Sequence, residues 1–308
     1  MTVITAPAPV ADDSMAKKSS TSAAGTRKGR RSPAWRIGVT AALAVATIYF
    51  LFPVYWLAIA ATKSTSDLFG SSGFALSNPQ LWNNLVKVVT YDGGIFGRWA
   101  LNSVLYSGVG AVVATVCSLA AGYCLAKFNF RGREVIFNVI LAGVMIPGTA
   151  LAIPLFLLMS QVGLVNTYWS VLLPSLVSPF GVYLGRIYAR AAVPDSLLEA
   201  ARLDGVGEFR IFLTLVLRLM MPAAVTVFLF QFIGIWNNFF LPLVMLSDQK
   251  LYPITLGLVQ WQSISDRHPE LYQLAVGGAF LSVIPIMIAI VSLQRFWKAG
   301  LTEGSVKG

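Results

Sequence analysis

Long runs of apolar residues constrain this chain more than any other feature of its sequence. A helix needs about 20 apolar residues to cross the roughly 30 Å hydrocarbon core of a bilayer, and six runs reach that length. Charged residues make up only 12% of the 308 residues, whereas hydrophobic residues make up 56%, a composition unlike that of soluble globular proteins. The sequence therefore predicts an all-α integral membrane protein. We expect its six transmembrane helices approximately at Ile37–Ala61, Trp99–Ala126, Val135–Ser160, Thr167–Tyr188, Leu219–Leu246 and Leu271–Phe296.

The residues before the first apolar run differ from the rest of the chain. Residues 1–34 are rich in Ser, Ala, Thr, Gly and Lys, which is typical of a disordered basic tail. Its basic stretch, Lys17–Arg31, contains no aromatic residues and precedes a membrane helix. We therefore expect the tail to lie near anionic lipid headgroups and expect no nucleic-acid partner. The first run exceeds the apolar core of about 7 to 15 residues in a signal peptide, so we interpret it as a retained helix.

The distribution of basic residues predicts how the helices are oriented. Most of the 23 Lys and Arg residues fall in the two termini and in the loops on one side of the predicted bundle. By the positive-inside rule that side faces the cytoplasm, so both termini are expected there. The chain is thereby divided into a cytoplasmic tail (1–34), a six-helix transmembrane domain (35–300) and a cytoplasmic C-terminal tail (301–308). The basic residues on the opposite side are Lys63, Lys87, Arg98, Lys250 and Arg267.

Few residues of this chain suit catalysis or metal binding. His268 is the only histidine, which excludes any site that needs two. Cys117 and Cys124 are interpreted as small apolar residues of a membrane helix. No apolar run carries an acidic residue in its middle, which argues against a proton-coupled carrier, and the chain lacks the G-x-x-x-x-G-K-[ST] loop that binds ATP phosphates. We expect no catalytic residue, metal ion or cofactor on this chain.

Small residues at regular spacing indicate which helices pack closely. In the second run they recur every four residues, which places them on one face where another helix backbone can approach. The second run is therefore predicted to be an interior helix, and the fourth repeats the pattern on a smaller scale. The residues are Gly110, Ala114, Ser118, Gly122 and Ala126 in the second run, and Gly181 and Gly185 in the fourth.

Polar side chains at membrane depth are the candidates for a substrate pathway, because they are costly to place there. An amide beside an aromatic ring suits the hydroxyls and faces of a sugar. Hydrogen bonding between helices is an equally compatible role for membrane Asn and Gln. The candidates are Asn102 near the end of the second run, and Gln231, Trp236, Asn237 and Asn238 in the fifth.

A short amphipathic helix is predicted at residues 195–205, in the charged loop between the fourth and fifth runs. Ser196 and Glu199 have the spacing of a capping box at a helix start, and Gly205 provides a helix stop. Leu197, Leu198, Ala201 and Leu203 are expected on one face, and Glu199, Arg202 and Asp204 offer charge. A helix of about 10 residues is unstable alone. We expect a cytoplasmic partner to bind it, with the bilayer surface as the alternative.

The same loop carries a resemblance to a known family. Glu199-Ala200-Ala201 and Gly205 resemble the EAA signature of bacterial ABC importer permeases, E-A-A, three residues, G, nine more and then I-x-L-P. The end of the signature falls on Leu215–Arg218, so Arg218 stands in the position of the proline, and Pro222 is expected to provide the bend instead. Further segments resemble carbohydrate-importer permeases of the MalG type: Phe52–Trp56, Asn102-Ser103, Tyr123–Phe128, Val193–Asp195, Phe232–Phe239, Leu241–Leu243 and Gly300–Gly308.

The resemblance implies a type I ABC importer permease fold in a bacterial plasma membrane, working by alternating access. It implies four further partners: a second, MalF-like permease, two copies of an ABC ATPase that hold ATP and Mg²⁺, and an extracellular sugar-binding protein. The substrate is expected to be a di- or oligosaccharide. A polyol or a glycerol phosphate is the alternative solute. A secondary transporter that is not coupled to ATP is the alternative class of protein. By the resemblance, Gly304–Gly308 is a second ATPase contact, and the coupling residues are Glu199, Ala200, Ala201, Asp204 and Gly205.

Overall fold

The computed structural model describes residues 33–303, and it describes side-chain environments for 34–294. Within that part of the chain every regular element is a helix. The first helices are α1 (Pro33–Thr62), α2 (Thr65–Gly70), α3 (Leu81–Thr90), α4 (Ile95–Lys127), α5 (Arg133–Gly143), α6 (Gly148–Gln161), α7 (Tyr168–Ser175) and α8 (Pro179–Ala192). They are followed by α9 (Asp195–Leu203), α10 (Glu208–Ile211), α11 (Leu217–Leu219), α12 (Met221–Trp236), α13 (Phe240–Met245), α14 (Ile254–Ser263) and α15 (Pro269–Glu303).

Two predicted tails lie largely outside the described residues. The N-terminal tail expected at 1–34 is described only where its last two residues begin α1. The C-terminal tail expected at 301–308 is described only to Glu303, where α15 ends. The proposed ATPase contact at Gly304–Gly308 therefore stays a prediction.

Four helical segments of the described chain are each long and apolar enough to cross a membrane, namely Ala34–Thr62, Leu81–Lys127, Tyr168–Ala192 and Pro269–Gln294. Two more are pairs of helices that reach the necessary length only together. Arg133–Gly143 and Gly148–Gln161 meet at 103°, and Glu208–Leu219 and Met221–Trp236 meet at 84°. The described residues therefore contain four candidate spans, or six if each bent pair is one span.

The two bends correct the predicted third and fifth runs. Val135–Ser160 is not one straight helix: it breaks ahead of Pro147, whose ring fixes its own φ and disfavours helical geometry in the residue before it. Leu219–Leu246 is also discontinuous. A first break lies at Met220, just before Pro222, and a second separates α12 from α13 at Asn237–Phe239. Apolar composition locates both segments, but it does not reveal where their axes turn.

The chain divides into two units at Leu51, and the described part of the first unit begins at Pro33. In the first unit, the part of α1 from Ala34 to Leu51 has all its side chains exposed. The second unit contains the packed core, in which α4 is the interior helix, against which α8 and α12 both pack. The prediction for the second run is thereby confirmed.

Small residues allow this close packing. A Cβ added to Gly122 would lie 2.6 Å from the backbone nitrogen of Arg186, and one added to Gly181 would lie 2.6 Å from Ser118 Oγ. Both distances are shorter than a van der Waals contact, so glycine is required for the helices to approach this closely. At Gly110 an added Cβ would lie 2.8 Å from Ile235 Cδ1, the end of a side chain that can rotate away, so the requirement for glycine is weaker there.

Apolar clusters form at the two ends of α4. Near its start, Phe96 and Trp99 pack with Trp261 of α14 and Leu274 of α15. Near its end, Leu119 and Tyr123 pack with residues of α8, α9 and the segment that leads into α12. The second of these clusters positions α9.

Candidate functional site

Helix α9, where the EAA resemblance falls, begins two residues earlier than the capping-box prediction requires. Pro194 occupies the cap position, and no side chain caps the helix there. Ser196 is consequently the second residue of the helix, so the capping-box prediction is wrong. The first residue, Asp195, forms an ion pair with Lys127, in which Oδ1 lies 2.8 Å from Nζ. A carboxylate in the first turn of a helix is also favoured by the helix dipole.

The predicted stop at Gly205 is confirmed. Gly205 has φ +76°, in the left-handed region that favours glycine. Its N–H donates to the carbonyl of Arg202 at 3.0 Å, and the N–H of Val206 donates to the carbonyl of Ala201 at 3.0 Å. This pair of bonds is a Schellman motif, which satisfies the last carbonyls of the helix and ends it at a defined residue.

The two sides of α9 face different surroundings. Leu198 and Ala201 are buried, and both belong to the cluster that contains Tyr123 and Ile211. The opposite side presents Glu199, Ala200, Leu203 and Asp204, all of which are exposed. Glu199 and Leu203 are one helical turn apart, and so are Ala200 and Asp204. We call these four residues the docking face.

The structure corrects the predicted orientation of two leucines. Leu203 was expected with the apolar side of α9, but it is 89% exposed and belongs to the docking face, and Leu197 is 37% exposed. In the next helix Phe209 is also 77% exposed. Of the predicted coupling residues, Glu199, Ala200, Asp204 and Gly205 are exposed, whereas Ala201 is buried beneath them.

Polar contacts fix α9 to the end of α4. Arg202 Nε donates to Glu208 Oε1 at 2.5 Å, and the hydroxyl of Tyr123 donates to the other oxygen of that carboxylate at 3.4 Å. The Arg202 guanidinium also lies 5.9 Å from the ring centre of Phe128. Its hydrogen bond to Glu208 raises the pKa of Arg202, because the carboxylate stabilises the charged guanidinium. With Lys127 holding the first turn, α9 is anchored at both ends.

The departure from the signature at Arg218 coincides with the second bend. Arg218 is exposed in α11, and the chain turns through 84° at Met220 immediately after it. Pro222 lies in the first turn of α12, where its missing N–H has no helical acceptor to lose. The bend is therefore present without a proline at 218, as expected from Pro222.

Three of the five candidate pathway residues line one cleft. Its volume is about 610 Å³, and its walls come from α6, α7, α12 and α13. Gln231 Nε2 donates to the carbonyl of Ser175 at 3.2 Å, and Asn238 Oδ1 accepts from the N–H of Leu241 at 3.3 Å. Asn237 is exposed at the cleft. Lining the cleft are Gly148, Thr149, Leu151, Leu155, Pro174, Ser175, Gln231, Gly234, Ile235, Asn237, Asn238, Phe239, Phe240 and Leu241.

Trp236 and Asn102 lie outside that cleft. Trp236 is 2% exposed and stacks on Phe232 in the cluster near the start of α4. Asn102 Nδ2 donates to the carbonyls of Lys250 at 2.9 Å and Tyr252 at 3.0 Å, while its Oδ1 accepts from the hydroxyl of Tyr168 at 3.1 Å. Asn102 therefore has a structural role, because its amide hydrogen-bonds to other segments of the chain. A role in the substrate pathway stays a prediction.

Asn102 is one of several α4 side chains that bind the loop Ser247–Ile254, which sequence reasoning missed. Trp99 Nε1 donates to the carbonyl of Gln249 at 2.9 Å, and Tyr106 donates to that of Leu251 at 2.9 Å. Ser103 Oγ accepts from the N–H of Ile254 at 2.8 Å. These side chains recur at helical spacing on one face of α4, which is a signal that the sequence does contain.

A family comparison identifies what kind of protein carries these features. Residues 114–301 match the family described as the binding-protein-dependent transport system inner membrane component. The chain belongs to this family. The predicted resemblance is thereby confirmed, and the protein is a multi-pass membrane component of a transport system. The family is one of transporter subunits rather than enzymes.

Relatives of this family member are similar over most of their length. The arabinooligosaccharides transport permease AraQ of Halalkalibacterium halodurans is 33% identical over 283 residues, which cover 91% of this chain and 100% of AraQ. The lactose transport permease LacG of Rhizobium radiobacter is 31% identical, covering 86% of this chain and 94% of LacG. The sn-glycerol-3-phosphate transport permease UgpE of Yersinia pestis is 27% identical, covering 85% and 94%.

A solved structure shares the fold. A chain of a bacterial ABC transporter involved in the import of the acidic polysaccharide alginate superposes with a TM-score of 0.74 at 22% sequence identity. The match covers 86% of this chain and 98% of that chain. The all-helical arrangement of this family member is therefore that of a bacterial ABC importer component.

Proposed function

We propose that this chain is the permease subunit of an ATP-driven importer that carries a sugar across a bacterial plasma membrane. The observation that carries the proposal is α9, a helix anchored at both ends that leaves Glu199, Ala200, Leu203 and Asp204 exposed. Isolated helices of this length are unstable in water, so the anchoring indicates a surface held ready for a partner. Relatives named as oligosaccharide and lactose permeases support a sugar as the solute.

The proposal counts six spans, with each bent pair as one. Both termini then lie on the same side of the membrane, and the excess of Lys and Arg there makes that side cytoplasmic. In this topology α9 lies in the cytoplasm, between the fourth and fifth spans. The domain division into a basic tail (1–34), a permease domain (35–300) and a C-terminal tail (301–308) belongs to the same proposal.

The docking face indicates the first partner. We infer that a cytoplasmic ABC ATPase receives Leu203 in an apolar pocket and contacts the carboxylates of Glu199 and Asp204 with basic groups. Two ATPase copies hold ATP and Mg²⁺, and this chain binds no cofactor. A second, MalF-like permease completes the pathway, and an extracellular binding protein delivers the sugar.

The mechanism uses α9 as a lever. Closure of the two ATPase subunits displaces the docking face, and two links transmit that displacement to the end of α4: Asp195 pairs with Lys127, and Arg202 is connected to Tyr123 through Glu208. The permease pair then changes from an inward-facing to an outward-facing state. ATP binding favours one state and hydrolysis the other, which is alternating access by differential affinity.

The cleft favours a neutral solute. Amides of Gln231, Asn237 and Asn238 stand beside Phe239 and Phe240, and none of the residues that line the cleft is charged. Sugar hydroxyls can exchange hydrogen bonds with amides, whereas a phosphate in a low-dielectric site needs a cation. Glycerol phosphate, suggested by the similarity to UgpE, is therefore the second candidate. Membership of a binding-protein-dependent family argues against a secondary transporter.

Charge reversal on the docking face tests this function. We expect Glu199→Lys to abolish sugar uptake and transport-coupled ATP hydrolysis, because a cation replaces an exposed anion at the ATPase contact. The variant should still insert into the membrane, since Glu199 is exposed. The measurements are uptake in proteoliposomes and the amount of ATPase that co-purifies with the tagged chain.

Glu270→Lys is the matched control. It makes the same charge change at an exposed carboxylate at the start of α15, far along the chain from α9, so uptake should be retained. Unchanged uptake in Glu199→Lys would contradict the coupling role of that residue. A wild-type chain that brings down no ATPase would contradict the importer function itself.

A further inference from the structure

Arg186, in α8, is a buried cation. Its side chain is only 3% exposed, and its guanidinium lies 3.9 Å from the ring centre of Phe137 in α5. One terminal nitrogen forms an ion pair with Glu134, also in α5, whose own side chain is 58% exposed. Within the described chain, its Nε has no hydrogen-bond partner. A charge buried this far is held in place by the few groups that stabilise it.

The contacts of Arg186 join α8 to α5. Phe137 of α5 lies against the guanidinium of Arg186 and against the ring of Tyr183, which stacks on it at 6.3 Å between ring centres. Arginine over an aromatic face is attracted by the ring quadrupole, more strongly where water is excluded. The ion pair and the stack therefore fasten the start of α5 to α8.

Glu134 has two other basic neighbours, but neither provides the same link. Arg133 Nε lies 3.4 Å from the carboxylate and sits on α5 itself, so it cannot join two helices. Arg190 Nη2 lies 3.6 Å away, and because its own side chain is 52% exposed, water can solvate the charge when the pair separates. Arg186 is the member of the group whose burial makes separation costly.

The fastened helices connect the two sites described above. At the end of α8, Ala189 and Val193 pack in one cluster with Leu198 and Ala201 of α9. Beyond α5, the chain bends through 103° into α6, whose first residues line the cleft of about 610 Å³. The pair Arg186 and Glu134 lies between them, on a continuous path from the docking face to the cleft wall.

We propose that Arg186 and Glu134 are positioning residues that make α5 move together with α8, so that displacement of α9 reaches the cleft wall. The proposal rests on the proposed function, in which an ATPase moves α9. The physical reason is that Arg186 cannot part from Glu134 without leaving an unpaired charge in a buried site. When α8 tilts, α5 therefore moves with it, and so do the bend after α5 and the start of α6.

Stability and coupling can be separated with two variants of this pair. Glu134→Gln leaves the Arg186 charge without its partner, so it should lower both the unfolding temperature and sugar uptake. The double variant Glu134→Gln with Arg186→Met removes the buried charge and keeps an apolar side chain against Phe137. Replacing a buried charge by an apolar group of similar size is often neutral for stability, so the unfolding temperature should return while uptake stays about ten-fold low.

The assay uses the complete importer in proteoliposomes, with binding protein and sugar outside and ATP inside. Co-purified ATPase and basal ATP hydrolysis should be unchanged in both variants, because neither residue lies on the docking face. Arg190→Gln is the matched control and should transport like the wild type, since its pair with Glu134 is exposed. We expect less sugar uptake per ATP hydrolysed in both variants that lack the ion pair, including the double variant whose stability is restored.

Recovery of uptake in the double variant along with its stability would overturn the proposal, since the pair would then be purely structural. Full uptake in Glu134→Gln, or an equal loss in Arg190→Gln, would also overturn it. Failure of the proposed function is a different observation. It would appear as a wild-type chain with no associated ATPase, whatever the variants do.

Discussion

Gly122 marks the point where two helices of the core come closest. A Cβ at this position would lie 2.6 Å from the backbone nitrogen of Arg186 and 2.6 Å from the carbonyl carbon of Gly185. Backbone atoms of a packed helix cannot rotate away as the end of a side chain can. Gly122 of α4 therefore allows the Arg186 backbone on α8 to lie where it does, because there is no space for a larger side chain.

We expect Gly122→Ala to destabilise the protein by about 1–3 kcal/mol, the range found for overpacked cores. Thermal unfolding of the detergent-solubilised chain measures the change. Gly108→Ala, on the same helix, has no atom within 4 Å of the added Cβ and should be neutral or slightly stabilising, since alanine favours helix. Equal unfolding temperatures for the two variants would show that α4 and α8 do not approach as described.

At the scale of single elements, α9 shows which helix boundaries a sequence reveals. Its end was predictable because Gly205 is the residue type that the left-handed position requires. Its start was not, because Pro194 and Ser196 both fit a helix start and only the structure shows that the proline takes the cap position. The apolar runs were located well by composition, and a proline lies at each bend, but composition does not give the angles of 103° and 84°.

We expect Gly205→Ala to weaken ATPase binding several-fold without unfolding the permease. An alanine at φ +76° costs about 1–2 kcal/mol, and the chain can relieve that strain by fraying the last turn of α9, where Leu203 and Asp204 lie. Titration of the purified ATPase against the reconstituted chain measures the change.

Gly207→Ala provides the control for that titration. Gly207 has φ −68°, and an added Cβ there would also meet nothing within 4 Å. Both glycines thus have space for a methyl group, and only the backbone conformation differs. A loss of affinity in Gly207→Ala as large as that in Gly205→Ala would show that the Schellman motif is not what matters.

At the scale of the whole molecule, α4 connects regions that are far apart in sequence. Its first half binds the loop Ser247–Ile254, and its last turn anchors α9. Asn102 and Lys250 are 148 residues apart, and Glu134 and Arg186 are 52 apart. Helical spacing shows that Trp99, Asn102, Ser103 and Tyr106 share one face of α4, but one sequence does not show which distant segment that face contacts. The role of Asn102 and the Arg186 pair were therefore not predictable.

We expect Asn102→Ala to loosen the loop Ser247–Ile254 while leaving the KM for sugar unchanged. The substitution removes two donors to backbone carbonyls and the acceptor of the Tyr168 hydroxyl. Limited proteolysis of the loop should therefore become faster, as follows when local hydrogen bonds that hold a segment are lost. A raised KM with no change in proteolysis would instead support a place for Asn102 in the substrate pathway.

The exposure of Leu203 and Phe209 has a consequence for the cell that makes this chain. Side chains of this size, 89% and 77% exposed, promote association with other molecules when they remain in water. Copies synthesised in excess of the ATPase keep that surface uncovered, and chaperones and proteases act on chains that do. The amount of this subunit is therefore expected to follow the supply of its partner, with surplus copies removed from the membrane.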